Sequence, residues 1–463
     1  MSIPKLAAST LFVVLLAISF TINGQRPVNG EHENAFNVRW TLPVRQPEQG
    51  VNRTQIGISE DGKRILVAYS REAVVLDENA SILASVKTFE YPGVAAITRD
   101  GQVVVVSRTI EDSQVALVWF SVTTNQVLRS VTLSPPFGVS QLAMSANGRV
   151  VVLSGTNYAF NATVIEARDN QGNLMWKHID PFRDYRLSRS IFESSVTVSG
   201  DGKLVAAARR ELVIGTSKSG PTFGTNNGIV LFNGRGEVLW NFTTGQPVGY
   251  GGYANGDIGI TGDGEYLGAA GFFNIYEFTS DGHPIWVDSG GPEYSGGQIA
   301  FSEESHRFVA GRYDGTVYLG NEKGPYWQTN FAAQVQSVAI SENGNLSAIL
   351  IAKSGEHVLY LLNDQGLQLS SISFPDTYIG SEQLAVAGDG SAVVVTFLFD
   401  NVYYIKRNPG IVISRTSTGT PALPPTEAQP SGIDNSTLAL LAVMILAVLV
   451  ATGVIITKKN VAS

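Results

Sequence analysis

Ile58-Ser-Glu-Asp-Gly62 is the stretch that decides the fold, because it keeps returning. It recurs as Ile97-Thr-Arg-Asp-Gly101, Met144-Ser-Ala-Asn-Gly148, Val198-Ser-Gly-Asp-Gly202 and Ile260-Thr-Gly-Asp-Gly264. It recurs again as Ile340-Ser-Glu-Asn-Gly344 and Val386-Ala-Gly-Asp-Gly390, and Phe301-Ser-Glu-Glu-Ser305 is a degenerate copy in the one gap. That makes eight copies. Asp-Gly and Asn-Gly supply the positive φ of a tight reverse turn without steric cost, so each copy reads as a hairpin between two short apolar strands.

A second phrase follows in many repeats: Gly172-Asn-Leu-Met-Trp176, Gly236-Glu-Val-Leu-Trp240, Gly282-His-Pro-Ile-Trp286 and a shortened Gly324-Pro-Tyr-Trp327. Each repeat then parses into four short strands; in the fifth they fall at 257–261, 266–271, 273–278 and 283–288. Four antiparallel strands at this period match one blade of a β-propeller. One blade cannot bury both of its faces, so blades must stack around an axis. The eighth repeat stops after three strands, near Arg407. The missing strand stands at the other end as Phe36-Asn-Val-Arg-Trp-Thr-Leu-Pro43, with Trp40 in the place of the other tryptophans. The expected fold is therefore all-β: an eight-bladed propeller of four-stranded blades, closed by the N-terminal strand. Seven blades is the alternative, since the sixth repeat is degenerate.

Over residues 36–407 these repeats resemble the mixed WD-type and pyrroloquinoline-quinone-type (quinoprotein-like) propeller repeats of prokaryotic surface proteins, with archaeal ones the expected source. The Gly-x-x-x-Trp strands are closer to the quinoprotein-like pattern, because no Trp-Asp pair occurs. Such motifs specify architecture well and function poorly. For a quinoprotein dehydrogenase, the resemblance would imply an axial quinone, a calcium ion, an Asp base and often a vicinal disulfide.

Composition removes much of that. There is no cysteine, which excludes disulfides, thiolate metal sites and Cys nucleophiles. No carboxylate cluster has calcium-loop spacing. The histidines, His32, His178, His283, His306 and His357, do not pair at ligand spacing, so no metal site is expected. No nucleophile elbow or Walker loop appears. The net charge of -8 with no Lys/Arg run argues against a nucleic-acid partner. No cofactor is expected.

The two ends set the expected topology. Residues 1–24 read as a signal peptide, with Lys5 before an apolar run over 6–22. An uncleaved anchor is the alternative. Residues 437–457 read as a transmembrane helix: 438–456 carries no charge and is long enough to cross a core of about 30 Å. Lys458 and Lys459 follow it, and Glu427 and Asp434 precede it. This asymmetry puts the tail, 458–463, in the cytoplasm and the ectodomain, 25–407, outside the cell membrane. The stalk between them, 408–436, holds five prolines among Thr and Ser and has too little apolar content to build a core. Asn52, Asn161, Asn241, Asn345 and Asn435 stand in glycosylation sequons on the expected outer side.

Loop length carries the functional expectation. The turns after first strands are all tight. The long segments are 180–193, 209–227, 244–255 and 289–296, and by this parse they share one face around blades 3 to 6. They carry Arg183, Tyr185, Arg186, Arg189, Arg209, Arg210, Tyr250, Tyr253 and Tyr294. Tyr and Arg are favoured at binding surfaces, and function tends to sit in loops on a rigid scaffold. The expected function is a single-pass cell-surface binding module, presenting this face to an extracellular protein or glycan. The alternative is an extracellular enzyme at the axis, either a quinoprotein-like oxidoreductase or a glycan-acting lyase or hydrolase. Three or more carboxylates converging on the axis would favour that alternative, since blades can bring together residues that are far apart in sequence.

Overall fold

The computed structural model describes residues 35–43, 54–69, 72–87, 94–110, 114–157, 162–181, 193–217, 220–243, 257–270, 274–289, 297–353, 355–375, 383–397 and 401–409. The expected signal peptide, stalk, transmembrane helix and tail lie outside them. Among the described residues every regular element is a strand, and no helix is long and apolar enough to cross a membrane.

The strands form eight antiparallel four-stranded sheets. Blade 1 is Gln55–Ile58, Arg64–Tyr69, Glu72–Asp77 and Ile82–Lys87, paired in chain order. The same order repeats in blade 2 (95–132), blade 3 (138–181), blade 4 (193–243), blade 5 (257–289), blade 6 (297–330) and blade 7 (334–375). Blade 8 is Gln383–Val386, Ala392–Thr396 and Asn401–Arg407, completed by Phe36–Pro43. Eight sheets decide against seven blades. The degenerate sixth copy builds a full blade of its own. Around the ring, the first strand of each blade lies against the first strand of the next, so first strands line the axis.

Burial follows from that stacking. Both faces of a blade are covered, so its middle strands read as continuous apolar runs rather than as alternation. In Arg64–Tyr69, Ile65 and Val67 pack towards blade 8, while Leu66 and Ala68 pack towards blade 2. Fourth strands stand at the rim, where Ile82, Val127, Leu128 and Leu239 are exposed.

The Gly-x-x-x-Trp phrase is an interlock between blades. Gly236 of blade 4 has φ of 81°, and a Cβ there would lie 2.6 Å from the Trp176 ring of blade 3. The same tryptophan stacks on Phe232 of blade 4 at 5.4 Å. The motif therefore needs glycine twice over, for the left-handed backbone and for the approaching indole.

One segment departs from the sequence reading. Of residues 209–227, expected as a loop, 209–217 and 220–227 are extended strand. Leu204–Ser217 and Gly220–Asn233 pair without interruption out to Ser217 opposite Gly220. Blade 4 covers this hairpin only as far as Arg210 on one side and Gly228 on the other. Beyond that it is a two-stranded arm, with 211–217 about 23 Å long at a strand's rise per residue. The outgoing strand of the arm carries the β-favouring run Leu212-Val-Ile214, and the pairing continues through Gly215 to Ser217.

Candidate functional site

The tight turns after the first strands meet around the axis. The second residue of each turn is, in blade order, Glu60, Arg99, Ala146, Gly200, Gly262, Glu303, Glu342 and Gly388. Backbone hydrogen bonds tie neighbouring turns together. Glu60 N–H donates to Arg99 O (2.8 Å), Asp389 N–H to Glu60 O (3.0 Å) and Glu304 N–H to Glu342 O (2.9 Å). Gly262 N–H donates to Glu303 O at 3.1 Å, and a Cβ on Gly262 would lie 2.4 Å from that same oxygen.

Arg99 crosses this ring. Its Nε donates to Glu60 Oε2 (3.0 Å) and lies 2.6 Å from Glu342 Oε2, while one terminal nitrogen donates to Glu304 Oε1 at 2.5 Å. One guanidinium of blade 2 thus joins blade 1 beside it to blades 6 and 7 on the far side of the axis. Burial alone would lower the Arg99 pKa, but the bonds to Glu304 and Glu60 outweigh it and hold the group charged. Burial, helped by the charge of Glu303, pushes Glu342 up to about 7. Burial also raises Glu303.

The degenerate repeat explains how an acid from blade 6 is available. In the other turns the Asp or Asn folds back on its own backbone: Asp61 Oδ1 accepts from Ser59 Oγ (2.7 Å) and Lys63 N–H (3.1 Å), and Asn343 does the same in blade 7. In blade 6 that position is Glu304, and Ser302 Oγ instead bonds Ser305 Oγ at 2.7 Å. The longer side chain, freed from capping, reaches Arg99.

A second polar seam lies between blades 5 and 6 near the same face. His306 Nε2 is 2.5 Å from Asp263 Oδ2, and its ring lies 5.0 Å from that of Tyr266. His306 has φ of 50°, so the left-handed residue of this turn is an imidazole residue one place beyond the glycine position of the other turns. On the blade 5 face turned to blade 6, Glu277 is fully buried, and neither carboxylate oxygen has a partner among the described residues. Burial first, then the charge of Glu322, raises Glu277 to about 8. A folded pKa above the ordinary 4.5 means stability that is full below pH 4.5 and lost as pH rises through about 8. Glu277→Gln should match the wild type at pH 4 and exceed it by about 1–3 kcal/mol at pH 9 in urea unfolding. Equal stability of the two proteins at pH 9 would contradict the buried, unpaired assignment.

The residues expected to bind are placed unevenly. Arg209 and Arg210 stand at the root of the blade 4 arm, opposite Ser194 and Glu193. Arg183, Tyr185, Arg186, Arg189, Tyr250, Tyr253 and Tyr294 lie outside the described residues. Of the sequon asparagines, Asn241 is exposed on the rim strand of blade 4, and Asn345 is half-buried with Oδ1 3.4 Å from Arg307 Nη1. Asn52, Asn161 and Asn435 lie outside the described residues. Sequence reading missed the axial group altogether. Its signal was present in the variable second position of the repeated turn, where Glu, Arg, Glu and Glu stand among Ala and Gly. The reading of His306 also changes: isolated in the chain, it is beside two acids in the fold.

The geometry agrees with comparison to known proteins. No protein-family model matches this chain, and no curated protein sequence matches it. Solved structures do, among them the C-terminal WD40 domain of Sif2, with a TM-score of 0.53 and 12% identity over 81% of this chain and 99% of that one. At that identity the likeness establishes the fold alone: this chain is a β-propeller, and its own sheets number the blades at eight.

Proposed function

We propose that this propeller is a membrane-anchored interaction module, related to the quinoprotein-like propellers of prokaryotic cell surfaces, that presents its long-segment face to an extracellular protein or glycan. The blade 4 arm carries the reading. Its two strands stay paired out to Ser217 opposite Gly220, well past Arg210 and Gly228, where the rest of blade 4 stops covering them. A two-stranded hairpin is marginal in water by itself, so an arm of this length gains from a surface to lie on. Arg209 and Arg210 at its root add the charge that steers association. Propellers of this kind commonly serve as scaffolds for protein partners, which supports the same reading. The apolar segment 437–457 and the basic pair after it support the anchor.

An axial glycan-acting hydrolase is the second reading. It is favoured by Glu342, raised to about 7 among carboxylates whose oxygens lie within 4.8 Å of one another. Three carboxylates do converge there, as such an enzyme would need, but Arg99 stands among them and a substrate would have to displace it. The test is a binding screen of the full-length chain against surface proteins and glycans. Serine at both Leu212 and Phe223, or alanine at both Arg209 and Tyr253, should weaken the captured ligand by about 2 kcal/mol or more, roughly 30-fold. Undiminished binding by these variants, with loss on altering the tight-turn face, would overturn the choice of face. Cleaved glycan in the same screen would move the reading to the axis.

A further inference from the structure

We propose that Asp263, Glu265 and His306 form a site for a divalent transition cation of the zinc class, which clamps blade 6 to blade 5. One imidazole nitrogen and two carboxylate oxygens lie within 4.8 Å of one another. Borderline cations accept this mixture of ligands, and water fills the remaining positions of an open site. The ligands come from two blades, so the metal would bridge the seam between them.

The site is prepared on both sides. Asp263 Oδ1 accepts from Thr261 Oγ1 (2.7 Å) and Glu265 N–H (3.0 Å), which fixes the carboxylate and leaves Oδ2 turned to His306. Ligands held by such outer bonds lose little freedom on binding metal. His306 is held by the Tyr266 ring and by a left-handed backbone. In blade 7 the corresponding turn has its positive φ at Gly344; in blade 6 the glycine is gone and the positive φ falls at His306. A non-glycine residue in that region is an outlier that points to a local requirement.

The charge around the seam is an independent observation. A fully buried carboxylate, Glu277, lies on the blade 5 side of the seam, on the same face as Tyr266. Glu277 sits beneath it: Gly268 opposes Glu277 and Tyr266 opposes Thr279 in the same strand pair, on one face of the blade. Its oxygens have no partner among the described residues. Two exposed carboxylates and one buried, unpartnered carboxylate therefore lie on the blade 5 side of this seam, with the His306 imidazole across it. A dication at Asp263, Glu265 and His306 is the chemistry that this excess of negative charge favours.

The test is calorimetric titration of the metal-free full-length chain with zinc chloride alone. One zinc per chain should bind, and zinc should raise the thermal midpoint. His306→Asn removes the imidazole while keeping a residue that tolerates left-handed backbone, and Glu265→Gln removes one charge at an exposed position. Each should weaken zinc at least about tenfold, the low end of what losing even an outer-shell partner costs. His283→Asn, in the exposed Asp281–His283 pair of blade 5, should leave the affinity unchanged. No saturable binding overturns the proposal. So does zinc affinity that is undiminished in both site variants, or that is lost in the His283 control.

Discussion

Deletion of residues 36–43 should lower the stability of all eight blades together, rather than fray the blade it belongs to. The strand pairs along its length with Asn401–Arg407, from Phe36 opposite Arg407 to Pro43 opposite Asn401. It also carries two anchors. Phe36, 1% exposed, packs among Leu346, Leu359 and Leu361 of blade 7 and Val393 and Ile405 of blade 8. Trp40 stacks on Tyr404 at 5.2 Å, and Tyr404 in turn donates from its hydroxyl to Gly62 O of blade 1 at 2.8 Å. The strand thus sits where the first and last blades are tied. Loss of a buried Phe side chain alone costs about 3–5 kcal/mol. Deletion adds an open sheet edge, which the closed ring otherwise avoids. Over a ring of this size, a loss of at least that much should move the thermal midpoint down by about 5 °C or more. Phe36→Ala should show a smaller shift in the same direction. Calorimetry should find one cooperative transition in each protein. A midpoint that does not move, or a separate early transition confined to blade 8, would show that the ring does not depend on this closure.

That strand was legible in the sequence because its evidence is local: a Trp in the repeat's register and a missing strand at the far end. The eight turns were legible for the same reason, since Asp-Gly in Ile58-Ser-Glu-Asp-Gly62 states its own backbone geometry. The arm was not, because a long gap between repeats looks like a loop whether or not its residues pair. Leu212, Val213 and Ile214 were the clue, a β-rich run inside a segment judged by length alone. The functional groups of the tight-turn face were hidden for a different reason. Arg99 and Glu304 are 205 residues apart and meet only because an eight-membered ring places blade 2 opposite blade 6. Asp263 and His306 meet only across a blade junction. Spacing rules for ligands and catalytic groups detect neighbours within one element. A propeller assembles its polar groups between elements, at positions where each repeat looks like a tolerant variant of its consensus.

Arg99→Met should destabilise the propeller by about 2–4 kcal/mol at pH 8 and by clearly less at pH 5. Methionine keeps the apolar stem of the side chain and removes the charged guanidinium, which leaves Glu60, Glu303, Glu304 and Glu342 facing one another. Removing one partner of a fully buried pair costs about 3–5 kcal/mol. The lower figure applies here because Glu60 and Glu304 are half exposed and screened by water. The sign of the pH effect follows from Glu342. Burial and the neighbouring Glu303 raise it to about 7 from an ordinary 4.5, so its contribution to stability is full below pH 4.5 and lost as pH rises through 7. Arg99 opposes that rise. Without the guanidinium, Glu342 should hold its proton to higher pH, and stability should fall more steeply across the neutral range. Urea unfolding of wild type, Arg99→Met, Glu304→Gln and the double variant, each at pH 5 and pH 8, measures the coupling between blades 2 and 6 directly. A latch across the axis requires the two single changes to be non-additive at pH 8 by about 1 kcal/mol or more, with the difference shrinking at pH 5. Additive effects at both pH values would reduce Arg99 to a surface charge and leave the ring held by its backbone hydrogen bonds and apolar seams alone.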